Sequence, residues 1–405
     1  MSDADGLLVI NGGSSSVRCA LYQQRADLPL LVGGTLERIG SSDARLTLHT
    51  ASAAEQNVSR TVDAPDHATA ARLLVNWLKQ RPEYTTIRAV GHRIVHGGAN
   101  YSGPELITPT VIAELQRLSP FVPQHLPAEL ALLGVFQAAF PDVPHVACFD
   151  TAFHHGMPRV AQILPLPRRY ARRGLRRYGF HGLSYTFLMD ELVRTQGPEI
   201  AAGRVVLAHL GNGASLAAVQ HGLPVDTSMG FTPSGGVPMS TRSGDLDPGV
   251  FVYLAQTEQM NADQFNTMIN TQSGLLGISE ISSDLRDLLA QEAHDHRAAE
   301  AIEMFCYQIR KYVGALAAAL NGLDALVFAG GIGEHAAPVR ARICAGLSFL
   351  GIELDEAQNA AHAPVISSAA SRVRVCVFAT DEARVIARAV CRILKLPCDA
   401  DAMRG

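Results

Sequence analysis

The sequence is poor in several features that would assign it to a particular class of protein. Its 405 residues include one tryptophan and seven cysteines, and the cysteines are scattered, with no CxxC pair. An odd and scattered set argues against a disulfide framework or a zinc site and favours a reducing compartment. The first residues, MSDADGLLVINGG, lack the basic start of a secretion signal, and the most apolar stretch is interrupted by Asn321 and Asp324. We therefore expect a cytoplasmic protein without a membrane span.

The chain also lacks an excess of charge of one sign. Lysine and arginine number 34 and the acidic residues 38, which gives a formal net charge of -4. DNA and RNA are therefore not expected partners, because no broad basic field is present, and any bound anion must meet a local cluster of arginines. No GxxxxGK[ST] sequence is present, so ATP binding would need a different phosphate cradle. A composition of 47% hydrophobic and 18% charged residues is typical of a folded chain of two or three domains.

One pattern occurs twice along the chain. A strand, a Gly/Ser turn and a second strand begin at LLVINGGSSS and recur about 200 residues later at HLGNGASLAAV. The repetition predicts a duplicated α/β domain with a boundary near residue 150, and two facing turns would form a cleft for a polyphosphate. In the second turn, Gly211 and Gly213 can adopt positive φ and let a ligand approach the backbone. A tight hairpin between two strands is the alternative interpretation.

Other segments predict further elements of an α/β fold. A third strand-turn-helix unit spans 325–346, and RVRVCVF alternates like a half-buried strand. The helix after that strand has Thr380 or Asp381 as its N-cap and Glu382 in its first turn. Helical spacing predicts a buried helix within 298–320. The apolar residues of that helix are Ile302, Phe305, Cys306, Ile309, Val313 and Leu316.

Two arginines in glycine-rich segments are candidates for anion binding. Arg93 stands in GHRIVHGG and Arg242 in MGFTPSGGVPMSTRSGDLDPG. A guanidinium offers forked donors for a carboxylate or a phosphoryl group, although a lone arginine is more often an ion-pair or surface residue. Asp150 and Glu382 stand at element ends, where they could bind magnesium together with phosphate or could cap helices. Most histidines are expected to be structural hydrogen-bonders.

A competing interpretation comes from Gly331-Ile-Gly333-Glu-His-Ala336. It follows a predicted strand, opens a helix and has Glu353 about 20 residues further on, as in a dinucleotide-binding fingerprint. A dehydrogenase is therefore an alternative, although it would explain nothing about the rest of the chain.

Taken in order, the motifs resemble the acetate kinase family, in the superfamily of sugar kinases, actin and heat-shock chaperone ATPases. The resemblance runs nearly from end to end. The matching segments are NGGSSS at 11–16, GHRIVHGG at 91–98, FDTAFH at 149–154, RRYGFHG at 176–182, HLGNGAS at 209–215, DTSMGFTP at 226–233, TRSGDLDP at 241–248, SGLLGIS at 273–279, GGIGE at 330–334 and TDE at 380–382.

The resemblance implies a duplicated ribonuclease-H-like fold with ATP in the cleft. An N-terminal domain of residues 1–150, completed by a helix at 383–405, would precede a nucleotide-binding domain of residues 151–382. The implied protein is a homodimer that transfers the γ-phosphoryl group of ATP reversibly to acetate, with Mg²⁺ or Mn²⁺. Propionate or another short carboxylate is the alternative acceptor. A nucleotide-switched ATPase of the same fold is more remote, because a switch protein needs no pair of anion-binding arginines.

The resemblance also implies roles for individual residues. Asn11, Asp150 and Glu382 would organise magnesium, while Arg93 and Arg242 would hold the carboxylate and the transferring phosphoryl group. His125 and His181 would donate to the phosphoryl oxygens. The acyl pocket would be lined by Val95, Gln124, Phe180 and Pro233. ATP would contact Arg18, His209, Leu210, Gly211, Asn212, Gly213, Asp284, Leu285, Arg286, Gly330, Gly331, Ile332 and Gly333. A carboxylate nucleophile is already ionised at pH 7, so the chemistry needs positioning and charge stabilisation rather than a general base.

The chain departs from the family pattern where acid specificity should be set. The family commonly has Leu-His-Asn-Pro where this chain has Gln124-His125-Leu126-Pro127. Burying the Gln124 amide beside a methyl group without a partner would cost about 1–3 kcal/mol. We therefore hypothesise that acetate is a substrate but that a polar or longer short-chain acid competes with it. Other departures are Ser234-Gly235 and His335, and Leu285 in place of a phenylalanine near the adenine.

Overall fold

The structure is a computed structural model that describes residues 5–13, 15–50, 58–81, 84 and 86–397. Ser14 of the first predicted turn and residues 398–405 of the predicted C-terminal helix lie outside the described residues. The chain divides into two compact units. Unit 1 comprises Met1–Ala152 and Asp381–Gly405, and unit 2 comprises Phe153–Thr380.

The strands and helices follow one another in an alternating α/β order. The strands are β1 (Gly6–Gly12), β2 (Ser16–Gln23), β3 (Leu30–Glu37), β4 (Arg45–Thr50), β5 (Val58–Thr61), β6 (Ile87–Ile94), β7 (Glu105–Leu106), β8 (His145–Phe149), β9 (Arg204–Leu210), β10 (Ala214–Gln220), β11 (Leu223–Thr227), β12 (Ala325–Ala329) and β13 (Arg374–Val377). The helices are α1 (His67–Lys79), α2 (Pro109–Leu118), α3 (Leu126–Ala139), α4 (Arg159–Gln162), α5 (Arg168–Ala171), α6 (Gly182–Gln196), α7 (Pro198–Ala202), α8 (Gly249–Thr257), α9 (Ala262–Thr271), α10 (Gly274–Ser279), α11 (Leu285–Gln291), α12 (His296–Ala319), α13 (Gly330–His335), α14 (Ala337–Cys344), α15 (Glu356–Ala360) and α16 (Glu382–Leu394). Short 3-10 helices lie at Ser119–Phe121, Ala152–Gly156 and Ser348–Leu350.

Unit 1 is built on one mixed sheet with the order β5-β4-β3-β2-β1-β6-β8-β7. The strand β1 pairs antiparallel with β2 and parallel with β6, and β6 pairs parallel with β8. Helix α16 packs against β1 and β6. Gly91 permits this contact, because a Cβ there would lie 2.5 Å from Cγ2 of Ile386. The carboxyl ends of β1, β6 and β8 thus meet at one sheet edge.

Unit 2 repeats the same strand plan in a sheet with the order β11-β10-β9-β12-β13. The strands β9, β10 and β11 form an antiparallel meander, while β12 and β13 run parallel to β9. In unit 1, β3-β2-β1-β6-β8 has the corresponding order and directions. The predicted duplicated α/β architecture is confirmed.

Helix α12 contacts β9, β10 and β11 of the unit 2 sheet. All six of its predicted apolar residues are buried, so the prediction from helical spacing is confirmed. The N-cap prediction for α16 is also confirmed. Asp381 caps the helix by accepting a hydrogen bond from the backbone N–H of Arg384 at 2.9 Å.

The expectation that RVRVCVF is a half-buried strand is wrong. Val375, Cys376 and Val377 are all buried in β13, so no side chain alternates toward solvent after Arg374. The strand is also paired along its outer edge, where Val365 forms an antiparallel bridge with Cys376. A parallel strand enclosed on both faces carries a continuous apolar run.

Two further predictions concern membrane spans and cysteines. No helix in the described part of the chain is long and apolar enough to cross a membrane. Five cysteines are buried free thiols, and burial raises the pKa of each, to about 12 at Cys19. Cys391 on α16 is instead disulfide-bonded.

Candidate active site

Arg93 is the centre of a charged cluster in unit 1. It lies near the carboxyl end of β6, and Asp150 directly follows the neighbouring parallel strand β8. The guanidinium Nη2 lies 2.6 Å from Oδ2 of Asp150, its Nε lies 3.2 Å from both carboxylate oxygens, and its Nη1 donates to the carbonyl of Gly12 at 2.7 Å. Asp150 is only 1% exposed. Because β6 and β8 are parallel and end at the same sheet edge, the predicted arginine and carboxylate lie together.

The charge state of Arg93 follows from its neighbours. Burial by itself lowers the pKa of the guanidinium, but the carboxylates of Asp150, Glu382 and Glu129 together raise it above the ordinary value. The arginine is therefore a permanent cation in a partly buried position. Removing Asp150 would leave that cation without its main partner, which is costlier than the net stabilisation of the pair.

Asn11 and Glu382 lie at the same edge of the unit 1 sheet. Asn11 is near the carboxyl end of β1, Glu382 is the first residue of α16, and Nδ2 of Asn11 donates to Oε2 of Glu382 at 2.8 Å. With Asp150 they present hard oxygen donors of the kind that Mg²⁺ binds. Among the residues that the structure describes, no group of three or more His, Cys, Asp or Glu could hold a metal ion. The set nevertheless fits Mg²⁺, which usually takes one or two carboxylates and completes its shell with phosphate and water.

Glu129 was missed by the sequence analysis. It lies in the first turn of α3, is 5% exposed, and its Oε2 accepts a hydrogen bond from the backbone N–H of Val95 at 2.9 Å. Its other oxygen, Oε1, is buried with no hydrogen-bond partner. Burial raises the pKa of this carboxyl to about 7, against the opposing effects of Arg93 and the Val95 N–H. A glutamate in the apolar sequence LPAELALLGVF was the signal that could have identified it.

The predicted acyl-pocket residues of unit 1 differ in exposure. Val95 is buried just after β6, two positions from Arg93, whereas Gln124 is exposed within its unit. His125 is the N-cap of α3, and its carbonyl accepts a hydrogen bond from the N–H of Glu129 at 3.0 Å. The cost of burying the Gln124 amide therefore does not arise within unit 1.

In unit 2 the turn that joins β9 to β10 is a hairpin, closed by the N–H of Gly211 donating to the carbonyl of Gly213 at 3.0 Å. Neither glycine has a positive φ, so that expectation is wrong. A close neighbour favours glycine at 213, whereas a Cβ at 211 would make only ordinary contacts. A Cβ at Gly213 would lie 3.2 Å from Nε2 of His181 and 3.4 Å from Nη1 of Arg242. A Cβ at Gly211 would lie 3.9 Å from the backbone nitrogen of Gly331.

Two histidines stack beside this turn. The rings of His181 and His209 have centroids 4.4 Å apart. Nδ1 of His181 is 2.9 Å from the hydroxyl of Ser215, and Nδ1 of His209 is 2.8 Å from the hydroxyl of Ser184. His181 has φ +59° at the N-cap of α6, a left-handed conformation that a non-glycine residue adopts at a cost. Its Nε2 consequently points toward Gly213.

Arg242 is held in a tight loop beside the same turn. Its Nη1 donates to the carbonyl of Pro233 at 3.1 Å, and its own carbonyl accepts from the N–H of Met239 at 3.0 Å. Gly274 is needed beneath the loop, because it has φ +63° and a Cβ there would lie 2.1 Å from the carbonyl oxygen of Met239. Pro233 and Phe180, the predicted pocket residues of this unit, are both buried.

The segment Gly330–Gly333 also adjoins the turn. Gly330 has φ +76°, and a Cβ there would lie 2.7 Å from the carbonyl oxygen of Leu210. Arg340, fully buried and not predicted as a site residue, donates to the carbonyls of Gly333 at 2.8 Å and Glu334 at 2.9 Å. Its other N–H groups contact Asn359 and His362. An arginine in the sequence VRAR gave no signal of such burial.

The remaining predicted ATP residues have simpler surroundings. Asp284 is the N-cap of α11 and forms an ion pair with the exposed Arg286, with Nη2 and Oδ2 2.5 Å apart. Leu285 between them is buried, so its side chain is part of the unit 2 core. Arg18 is exposed on β2, opposite Asn11 in the strand register.

Comparison with known proteins identifies a family and several similar proteins. Residues 6–388 match a family model described as the acetokinase family. The chain is 45% identical over 392 residues to an acetate kinase of Methylocella silvestris, covering 94% of this chain and 96% of that protein. It is 44% identical to a propionate kinase of Citrobacter rodentium, covering 96% of each. Among solved structures, a Porphyromonas gingivalis acetate kinase superposes with a TM-score of 0.86 at 38% identity, covering 96% of this chain and all of that one. A Francisella tularensis propionate kinase superposes with a TM-score of 0.89 at 34% identity, covering 96% and 99%.

Proposed function

This chain belongs to the acetokinase family and is a kinase, and from that premise we propose that it phosphorylates acetate. The reaction is the reversible, Mg²⁺-dependent transfer of the γ-phosphoryl group of ATP to acetate, which gives acetyl phosphate and ADP. The observation that carries the proposal is Arg93, fixed between the Gly12 carbonyl and buried Asp150. A guanidinium held rigidly in this way suits the binding of a small carboxylate.

In the proposed reaction, residues of unit 1 hold the acceptor. Arg93 binds the carboxylate, which attacks the γ-phosphorus directly because it is already ionised and has no proton to lose. Asp150 fixes the plane of the Arg93 guanidinium through its two carboxylate oxygens. Val95 contributes an apolar wall beside the acyl group. Mg²⁺, which Asn11, Asp150 and Glu382 would hold, neutralises the charge of the phosphates when it is bound.

Residues of unit 2 hold the nucleotide in this proposal. The backbone of Leu210–Gly213 binds the phosphates, where the glycines allow close approach. Arg242 and His181 donate to the transferring phosphoryl group, and the hydrogen bond between His181 Nδ1 and the Ser215 hydroxyl orients the imidazole ring for that task. His125 of unit 1 is a further donor. The segment Gly330–Gly333, with Asp284 and Arg286, flanks the adenosine.

Propionate is the second candidate acceptor. It is favoured by the 44% identity to a protein named as a propionate kinase, close to the value for the acetate kinase. Gln124, exposed within unit 1, imposes no desolvation cost there that would select against a longer acyl chain. We further propose a cytoplasmic homodimer, as the composition and the family lead us to expect.

The test is formation of acyl phosphate from Mg-ATP and acetate or propionate, trapped with hydroxylamine. We expect acid-dependent product from the wild-type chain and a loss of about 10³-fold in kcat/KM for both Arg93→Ala and Arg242→Ala. Arg88→Ala and Arg194→Ala are matched controls, because these arginines form exposed ion pairs with Asp5 and Glu191 in the same two units. ATP hydrolysis that does not respond to any carboxylate would contradict the proposal and favour a nucleotide-switched ATPase.

A further inference from the structure

Glu129 has no role in the reaction just proposed, yet its surroundings tie it to that reaction. Its Oε2 holds the N–H of Val95, two residues after Arg93. Its Cγ would lie 3.9 Å from a Cβ placed on Gly12, whose carbonyl binds Arg93. One side chain therefore borders both backbone segments that fix the position of Arg93.

The side chain is itself rigidly mounted. Glu129 lies in the first turn of α3, and its N–H donates to the carbonyl of His125 at 3.0 Å. Farther along the helix, Leu132, Leu133 and Phe136 are buried. Rigid support of this kind lets a side chain transmit its own position to the group that it binds.

Burial of this carboxyl group requires an explanation. A buried carboxyl group with an oxygen lacking a partner costs free energy, whereas an apolar side chain of similar volume would avoid that cost. The hydrogen bond from the Val95 N–H does not offset this cost, because the net contribution of one hydrogen bond to stability is small. Such a cost is typical of groups that serve a site rather than stability.

We propose that Glu129 is a positioning residue that fixes Val95 and the adjoining Arg93 strand end, and thereby determines which short carboxylic acids the enzyme accepts. The inference rests on the proposed function, since it assigns acid specificity to that same site. Without the Glu129 carboxyl, the Val95 N–H loses its acceptor in a buried position. The backbone then shifts to recover a partner, and the wall next to the acyl group moves with it.

The test compares three variants of Glu129. Glu129→Gln keeps an oxygen that can accept from Val95, Glu129→Met keeps the volume without an acceptor, and Glu129→Asp keeps the charge on a shorter side chain. For each we would measure kcat, KM for acetate, propionate and butyrate, KM for ATP, and the melting temperature. Leu133→Ala is the matched control, because it removes buried volume from the same helix and leaves the Glu129 carboxyl in place.

We expect Glu129→Met to raise the KM for acetate about tenfold, the equivalent of roughly 1.4 kcal/mol. Its propionate-to-acetate ratio of kcat/KM should also change, while KM for ATP stays within about twofold of wild type. Glu129→Asp should shift the same ratio in the same direction, and Glu129→Gln should restore the wild-type ratio. Leu133→Ala should lower the melting temperature and leave the ratio unchanged.

Several results would overturn the inference. One is a propionate-to-acetate ratio of kcat/KM that is unchanged in Glu129→Met, or in Glu129→Asp if the methionine variant does not fold. Another is a change of that ratio in Leu133→Ala as large as the change in the Glu129 variants. If the wild-type chain formed no acyl phosphate, the proposed function would fail. If the wild-type chain formed acyl phosphate and the Glu129 variants had the acid preference of wild type, the inference would fail and the proposed function would stand.

Discussion

Units 1 and 2 share one strand plan but surround their equivalent hairpins with different chemistry. Beside Gly12 of the β1–β2 hairpin, unit 1 places Arg93, Asp150 and Glu129, all charged or titratable. Beside the β9–β10 hairpin, unit 2 places one arginine, Arg242, together with stacked histidines that have serine partners and the glycine-rich segment at Gly330. The difference teaches that a duplicated fold fixes where a site lies, while the residues at the strand ends determine what it binds.

The proposed function explains this difference physically. A short carboxylate acceptor and a metal ion are small charges, and they are best held by fixed opposite charges. The phosphates of ATP are larger and are well bound by backbone N–H groups, which require glycine where side chains would block the approach. Variants in each unit should therefore fail in different ways.

Among the four predictions that follow, the largest effect is expected from Asp150→Asn. The guanidinium of Arg93 would keep its charge but lose its anionic partner at 2.6 Å, so that its orientation toward the acceptor is no longer fixed. We expect kcat/KM for acetate to fall about 10²- to 10³-fold, with ATP affinity largely retained. Steady-state kinetics and calorimetric titration with ATP would measure both. A loss of ATP affinity as large as the loss of kcat/KM for acetate would contradict the assignment of the acceptor to unit 1.

The second prediction concerns pH and Glu129. Its pKa of about 7 in the folded chain lies above the ordinary 4.5, so the unfolded chain releases this proton first as pH rises. The wild-type chain should thus lose stability between pH 4.5 and 7, by up to about 3 kcal/mol at higher pH. Thermal melting of Glu129→Gln should show a gain over wild type at pH 8 that disappears near pH 4.5. A difference that is constant with pH would contradict this assignment.

The third prediction gives the opposite sign in unit 2. His154 donates through Nε2 to the carbonyl of Phe180 at 2.9 Å, and burial lowers its pKa to about 4 from 6.5. As pH falls from 6.5 to 4, the unfolded chain binds a proton that the folded chain does not bind, so stability is lost by up to about 3 kcal/mol. His154→Gln should melt with a weaker dependence on acid than wild type. The prediction would be refuted if the melting temperatures of the two proteins fell by the same amount between pH 7 and pH 4.5.

The smallest effect is expected from Gly213→Ala. The new Cβ would lie 3.2 Å from Nε2 of His181, so the histidine or the turn must shift. We expect the KM for ATP to rise about tenfold while the KM for acetate changes little. Gly314→Ala is the control, because that glycine lies within α12 with no atom within 4 Å of an added Cβ. The control should be stabilised by about 0.5–1 kcal/mol without kinetic change.

Periodicity and element ends predicted much of the fold and part of the site. Repeated strand-turn-strand patterns indicated both hairpins, helical spacing indicated α12, and the ends of predicted elements indicated Asp150 and Glu382 as site candidates. These features depend on local sequence and on the rule that parallel strands end at one sheet edge. The predicted roles of the residues in ATP and acid binding stay predictions.

The missed features depend on contacts between distant residues. Glu129 and Arg340 are charged residue types that are usually exposed, and only the packing of α3, and of α14 against α13 and α15, shows that both are buried. The glycines at 211 and 213 can adopt positive φ but do not, and only at Gly213 does a close neighbour, His181, favour glycine. The alternating sequence RVRVCVF predicted a half-buried strand, but it could not show that Val375, Cys376 and Val377 of β13 are all buried.

The most direct test of the division between the units is one paired measurement on Arg93→Ala. ATP binding would be followed by calorimetry and acyl phosphate formation by hydroxylamine trapping, each beside wild type and Arg88→Ala. The account predicts that Arg93→Ala binds ATP within about threefold of wild type but forms acyl phosphate at a rate about 10³-fold lower. Loss of ATP binding together with acyl phosphate formation, or retention of both, would contradict it.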